Sequence, residues 1–100
     1  MKSDKLKLKQ IKTVIHKITG IPEEVFLRDS RLLSSVSWRK FFYYQGIKSG
    51  ISIYKLAEES SKDIKYVKSS LNKYESDYKY SPIFRKAADR IDTELVVKKL

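Results

Sequence analysis

The chain has 100 residues, and its 22 lysines and arginines outnumber 12 aspartates and glutamates to give a net charge of +10. This length suits one domain with a modest hydrophobic core, and no apolar run approaches the roughly 18 residues of a membrane helix. The absence of cysteine excludes disulfides and thiolate metal sites and favours a cytoplasmic protein, while a single histidine, His16, argues against a histidine-based metal site.

The charge imbalance predicts a polyanion as partner, because a strongly basic surface attracts polyanions and speeds association with them. Charge alone does not choose between DNA, RNA, acidic lipid and acidic protein. The N-terminal MKSDKLKLKQ has no apolar signal core, so we expect no export signal.

The N-terminal third predicts two helices. Residues 1 to 9 hold four lysines and are expected to form a flexible basic N-terminus, ahead of a single helical domain over residues 10 to 97. A first helix follows, with Gly20 as its C-terminal cap; its apolar stripe is Ile11, Val14, Ile15 and Ile18. Pro22 suits the start of a short second helix, with Val25, Phe26 and Leu27 on its apolar side.

A third helix is predicted over VSWRKFFYYQGIKSG, with N-cap candidates among Ser34 to Ser37. Its aromatic residues are too many to be wholly exposed, and Phe41 and Phe42 are predicted to lie in the core. For Tyr43 and Tyr44 a core position and a position facing a phosphate or a base both stay open, because a phenol can serve in either.

Residues 51 to 78 predict two helices joined by a polar turn over Glu58 to Ser61. Either Ser61 or Asp63 can cap the second helix, whose buried stripe is Ile64, Val67, Leu71, Tyr74 and Tyr78. Its opposite face is positive, with short polar side chains between the charges: Lys62, Lys65, Ser69, Asn72 and Lys73. In a basic protein this pattern is typical of a helix-turn-helix whose second helix contacts DNA.

The C-terminal segment predicts a last amphipathic helix that starts at Ser81-Pro82, with Phe84, Ala87, Ala88, Ile91 and Leu95 on one face and Val96 and Val97 beside them. No stretch alternates as a strand does. We therefore predict an all-α domain of about six helices around the helix-turn-helix.

The order of these pieces resembles the C-terminal DNA-binding domain of the bacterial replication initiator DnaA, which has a Trp-repressor-like helical fold. The similarity runs over roughly residues 10 to 95. It is carried by KITGIPEEVFLRDSR, SWRKFFYYQ, ISIYKLAEESSKDIKYVKSS and SPIFRKAADRIDTEL. Lys62-Asp63 stands where the family has Arg-Asp, and Arg39 where a family arginine contacts the DNA backbone.

The resemblance implies binding of double-stranded DNA in the bacterial cytoplasm, with the second helix of the pair in the major groove. Lys62 and Lys65 would reach phosphates or guanine edges, Ser69 a base or phosphate, and Tyr66 the backbone or a thymine methyl. Asp63 is expected to act mainly as an N-cap. Flanking phosphates are assigned to Arg31, Arg39, Lys40, Lys48 and Lys55.

Two rival functions stay open. Ile64-Lys65-Tyr66 replaces the His-Ser/Thr-Thr with which the family reads bases, and this favours a protein-interaction domain on the same fold. An RNA-binding module could instead stack bases on Tyr43, Tyr44 and Tyr80. With one histidine, no cysteine and no facing pair of carboxylates, the sequence predicts no catalytic set, no cofactor and no small-molecule substrate.

Overall fold

The structure is a computed structural model that describes the backbone of residues 3–24 and 33–99 and the side chains of residues 3–24 and 36–96. These residues form only α-helices, which confirms the predicted all-α class. The five helices are α1 (Asp4–Thr19), α2 (Leu33–Lys48), α3 (Ile53–Ser60), α4 (Ile64–Tyr80) and α5 (Pro82–Lys99). The predicted short helix after Pro22 extends into residues 25–32, which lie outside the described residues. No helix in the described ranges is long and apolar enough to cross a membrane.

Helix α1 begins earlier than the sequence predicts. The Ser3 hydroxyl caps it by accepting a hydrogen bond from the Leu6 amide at 3.3 Å. Leu8 is only 3% exposed, because it lies one turn before Ile11 on the same face. The prediction of a flexible N-terminus over residues 1 to 9 is therefore wrong for residues 4 to 9. Gly20 ends the helix in the left-handed conformation, as predicted.

Helix α2 is the centre of the fold and packs against α1, α3 and α4. Every side chain from Trp38 to Tyr43 is buried, because this helix has a neighbour on each side. The Trp38 indole donates to the Ile21 carbonyl at 3.0 Å. The helix begins at Leu33, so the predicted N-cap among Ser34 to Ser37 is wrong. Serine has only a slightly lower helix propensity than the best helix formers, so these serines can lie inside the helix.

Helix α3 lies very close to α2, and Gly46 makes the approach possible. A Cβ atom at this position would be 2.4 Å from Leu56 Cδ2 and 2.9 Å from Leu56 Cδ1. Leu56 is fully buried, so its side chain has little space to move away. The missing side chain of Gly46 therefore sets the position of α3, and with it the position of the turn that follows.

Helix α5 completes the core by packing against α1 and α4. Its predicted stripe is confirmed in Phe84, Ala88, Ile91 and Leu95, which are all at most 8% exposed. The Phe84 ring stacks on Phe41 of α2 at 4.7 Å between centroids. Val96 lies outside this stripe and is 48% exposed, so it does not widen the apolar side as predicted.

Candidate nucleic-acid interface

The connection between α3 and α4 is a three-residue turn, Ser61 to Asp63. Ser61 has φ 54° and adopts the left-handed conformation. Its amide donates to the Glu58 carbonyl at 3.2 Å, and the Lys62 amide donates to the Ala57 carbonyl at 3.0 Å. This pair of bonds is the Schellman arrangement, which satisfies the last carbonyls of a helix and reverses the chain.

Asp63 fixes the start of α4. Its carboxylate Oδ1 accepts a hydrogen bond from the Tyr66 amide at 2.7 Å, which confirms that Asp63 is the N-cap. The predicted polar turn over Glu58 to Ser61 begins too early, since α3 continues through Ser60. An eight-residue helix, a three-residue turn and a longer second helix together make a helix-turn-helix.

Two hydrogen bonds from α2 hold the residues on either side of this turn against the core. The Tyr43 hydroxyl donates to Ser60 Oγ at 2.7 Å, and both residues are buried. The Arg39 Nε atom donates to the Tyr66 hydroxyl at 2.8 Å, and the Tyr43 and Tyr66 rings meet edge to face at 6.3 Å. The last turn of α3 and the first turn of α4 are thus held at fixed positions relative to the core.

The outer face of α4 is positive over its whole length. Apart from Tyr78, the exposed residues of α4 lie within about 80° of the direction of Lys65, at 100° per residue. Short polar side chains occupy the middle of this face and lysines border it on both sides. Its members, which we call the α4 basic face, are Lys65, Lys68, Ser69, Asn72, Lys73, Ser76 and Lys79, all of them exposed. Glu75 at the edge is the one acidic residue among the exposed positions of α4.

The lysines of the α4 basic face keep their charge uncompensated. Within the part of the chain that the structure describes, none of the four has a carboxylate within the 4.0 Å of an ion pair. Five other cations are paired: Lys12 with Glu23 and Glu59, Lys17 with Glu94, Lys40 with Asp77, Lys48 with Asp92, and Lys55 with Glu59. Exposed cations without an ion pair among the described residues also occur on α1 and α5, namely Lys5, Lys9, Arg85, Lys86 and Arg90. The α4 basic face differs from these in placing four such lysines along the outer face of one helix.

Several predicted site residues lie at this surface. Lys65 and Ser69 are exposed on the α4 basic face. Lys62 lies in the turn, half-buried, with its ammonium 5.2 Å above the Tyr66 ring. Lys55 on α3 is also half-buried and lies 3.9 Å from Glu59. Arg31 lies outside the described residues.

Packing between α2 and α4 engages the side chains of three other predicted contact residues. Arg39 is 2% exposed and bonded to Tyr66. Lys40 is 7% exposed, and its ammonium donates to Asp77 Oδ2 at 2.5 Å. Tyr66 is half-buried, and its hydroxyl accepts from Arg39 rather than facing the outside. Arg39 and Lys40 are thus parts of the α2–α4 interface, not a phosphate clamp.

The structure decides between the two positions that the sequence left open for Tyr43 and Tyr44. Tyr43 is fully buried, and burial raises its pKa to about 12. Tyr44 is half-buried and stacks on Tyr74 with 4.1 Å between ring centroids. Of the three tyrosines predicted to stack RNA bases, only Tyr80 is well exposed, at 73%. The stacking platform of the RNA hypothesis is therefore absent from α2.

The sequence analysis assigned no DNA contact to Lys68, Lys73, Ser76 and Lys79. The helical period that identified the buried stripe also identifies them, since each lies three or four residues from another member of the exposed face. Extending that period from Lys65 to the end of α4 would have found all four. Tyr78 had been predicted on the buried stripe, but it is 37% exposed and donates to Asp89 Oδ1 at 2.7 Å.

No three histidine or acidic side chains converge as a metal site within the described ranges. No family model matches the chain, and no curated protein or solved structure matches it either. The geometry of the helix pair and the distribution of charge are therefore the features that bear on function.

Proposed function

We propose that this protein binds double-stranded DNA and that α4 lies in the major groove. The α4 basic face carries this proposal, because its four lysines without an ion pair among the described residues lie on the second helix of a helix-turn-helix. The resemblance to the DnaA C-terminal domain supports the same function and the same helix. A Trp-repressor-like arrangement, in which the second helix of the pair contacts DNA, is part of the proposal.

The dimensions of α4 suit a groove. A helix with its side chains is about 10 to 12 Å wide, and the major groove of B-DNA is about 12 Å wide. The lysines at both edges of the face would reach the two phosphate backbones, which gives affinity without sequence preference. Ser69 and Asn72, in the middle of the face, would meet base edges, and an asparagine amide can bind adenine bidentately.

Base reading by this face differs from that of the family it resembles. Of the three residues that replace the family's His-Ser/Thr-Thr, Ile64 and Tyr66 are half-buried and only Lys65 is exposed. Two hydrogen-bonding side chains in the middle of the face can specify few base pairs. We therefore expect modest sequence preference and strong dependence on salt.

The runner-up function is a protein-interaction domain, and one observation favours it. A cleft lined by tyrosines and carboxylates lies between α4 and α5, beside the α4 basic face. An acidic cleft of this kind is unsuited to DNA and suited to a basic ligand.

Amide chemical-shift mapping with a short duplex at low salt tests the DNA proposal and locates the surface. We expect saturable shifts at Lys65, Lys68, Ser69 and Asn72, and weak shifts along α1. Competition with single-stranded RNA should leave the map unchanged. Shifts concentrated on α1 or α5, or no binding at micromolar protein and low salt, would refute the proposed surface.

A further inference from the structure

A cleft of about 480 Å³ lies where the C-terminal half of α4 crosses α5. Tyrosines and carboxylates dominate its lining, with one residue of α2 and the rest from α4 and α5. The residues that carry the argument are Tyr44, Tyr74, Tyr78, Glu75, Asp89 and Asp92. The chain has a net charge of +10, so three carboxylates in one cleft contrast with the positive charge of the molecule as a whole.

The tyrosine rings that form one wall of this cleft are held in place by stacking and by a hydrogen bond. The Tyr44 and Tyr74 rings are nearly parallel, 4.1 Å apart at 8°. The Tyr74 and Tyr78 rings follow at 6.2 Å and 16°. Tyr78 is held in place by its hydrogen bond to Asp89, and Tyr74 also contacts Phe84 edge to face at 5.2 Å. Ring faces are negative, so the ring surface left uncovered on Tyr44 and Tyr78, which are less buried than Tyr74, attracts cations as well as apolar groups.

The carboxylates are engaged to different degrees. Asp92 accepts from the Gln45 amide and pairs with Lys48, which lies outside the cleft lining. Asp89 accepts from the Tyr78 hydroxyl. Glu75 is exposed at the mouth, and no cation of the described residues pairs with it. Lys48 offsets Asp92, and Arg85 lies near enough to Tyr78 to oppose the rise in its pKa that the hydrogen bond to Asp89 causes, but no basic side chain of the described residues lines the cleft itself.

Tyr74 gives a second and independent indication of a ligand. It is 6% exposed, yet its hydroxyl makes no hydrogen bond to any described residue. Burial raises the pKa of Tyr74, and Tyr44, Asp92, Tyr78 and Asp89 raise it further, so its hydroxyl lies among the groups that line the cleft. A buried hydroxyl without a partner is costly, and a ligand polar group in the cleft would satisfy it.

We propose that this cleft binds a planar organic cation, the guanidinium group of arginine or of a small molecule. A flat guanidinium stacks on tyrosine faces and donates to carboxylates from a rigid fork, with Glu75 and Asp89 as acceptors. A lysine ammonium lacks this flat surface and is more strongly hydrated, so it fits the tyrosine wall less well. The site differs from the α4 basic face in charge and in ligand, and it does not depend on DNA binding.

The test is an amide chemical-shift titration of the full chain with N-acetyl-arginine methylamide. The matched probes are the citrulline analogue, which is neutral and nearly isosteric, and the lysine analogue. We expect saturable shifts at Leu71, Asn72, Glu75 and Ala88 with arginine, weaker ones with lysine and none with citrulline. Agmatine and a blocked Gly-Arg-Gly peptide separate the two sources, since tighter binding of the peptide indicates a polypeptide partner and tighter binding of agmatine a free small molecule.

Glu75→Gln is the variant that locates the site, because Glu75 is exposed and its loss leaves the core intact. We expect arginine binding to weaken roughly fivefold, while Glu58→Gln, an exposed glutamate on α3, leaves it unchanged. Equal shifts with citrulline, no saturable shift with arginine, or equal affinity in Glu75→Gln would each overturn the proposal. Glu75→Gln removes a negative charge beside the α4 basic face and should not weaken DNA binding, so the two proposals fail separately.

Discussion

Residue type decides less about exposure than the neighbours of the helix do. Arg39 and Lys40 are charged and would ordinarily be assigned to the surface, yet both lie on a helix that is covered on several sides. Tyr66 shows the same effect, since its hydroxyl is occupied by Arg39 at 2.8 Å. Lys65, one residue before Tyr66, is exposed. Two consecutive residues of α4 thus differ in role. Tyr66 stabilises the packing against α2, and Lys65 lies on the exposed face.

Tyr66→Phe and Lys65→Ala should separate these roles. Tyr66→Phe removes the acceptor of the Arg39 Nε hydrogen bond, and we expect the free energy of unfolding to fall by about 1 to 3 kcal/mol, with duplex affinity nearly unchanged. Lys65→Ala should leave stability within about 0.5 kcal/mol and lower the salt slope of binding by about 1. Urea unfolding and fluorescence anisotropy measure the two effects. A weaker duplex affinity in a folded Tyr66→Phe would return Tyr66 to the interface.

Tyr43 makes the free energy of unfolding depend on pH in the alkaline range. Its pKa is raised by burial from 10.0 to about 12, so between these values the unfolded chain loses the phenolic proton and the folded chain keeps it. The contribution is complete below pH 10 and is lost as pH rises toward 12, at up to about 1.4 kcal/mol per pH unit.

Tyr43→Phe should therefore be less stable than the parent by about 1 kcal/mol below pH 10, because the buried hydrogen bond from the Tyr43 hydroxyl to Ser60 Oγ is lost. The deficit should shrink as pH rises from 10 to 12. Urea unfolding of both proteins across this range measures the difference, which cancels the lysines and the other tyrosines that titrate in both. A deficit that stays constant would contradict the assignment.

The sequence predicted a helix correctly wherever one face of the helix was apolar and the other polar. Four of the five helices show such a stripe, including α1 from Ile11 onward and α5 from Phe84 onward. Boundaries depended on single caps that periodicity does not reveal, such as Ser3 and Asp63. Helix α2 was predicted as a helix, but its aromatic residues point in all directions. Which of them are buried depends on α1, α3 and α4, so Tyr43 and Lys40 could not be placed from the sequence.

Asp63 offers a test of the turn that positions α4. Asp63→Ala should lower the free energy of unfolding by about 1 kcal/mol, because the Tyr66 amide loses its acceptor. Asp63→Asn keeps an acceptor and should cost only a few tenths of a kcal/mol. Both variants remove a negative charge near Lys62 and Lys65, so duplex affinity in Asp63→Asn should rise slightly. Equal stability of Asp63→Ala and the parent would mean that the cap does not stabilise α4.

For the whole molecule, the net charge favours a polyanion as partner but does not identify the surface that would bind it. That surface depends on which lysines form ion pairs with carboxylates. Pairs such as Lys17 with Glu94 and Lys48 with Asp92 join residues far apart in the chain, so the sequence alone does not show them. With these cations neutralised, α4 and a few exposed positions on α1 and α5 keep the excess charge. The cleft beside Glu75 needed the structure for the same reason, since its tyrosines and carboxylates come from three helices.

The most direct test of duplex binding by α4 is the salt dependence of affinity in two variants of equal net charge. One replaces Lys65, Lys68, Lys73 and Lys79 by glutamine. The control replaces Lys5, Lys9, Lys86 and Arg90, which are also exposed. Each removes four charges and lowers the net charge from +10 to +6. The α4 variant should lose more than about tenfold in affinity at low salt, with a slope of log K against log salt reduced by about 2 to 4, while the control stays within about threefold. Equal losses in both variants would show that binding follows net charge rather than α4.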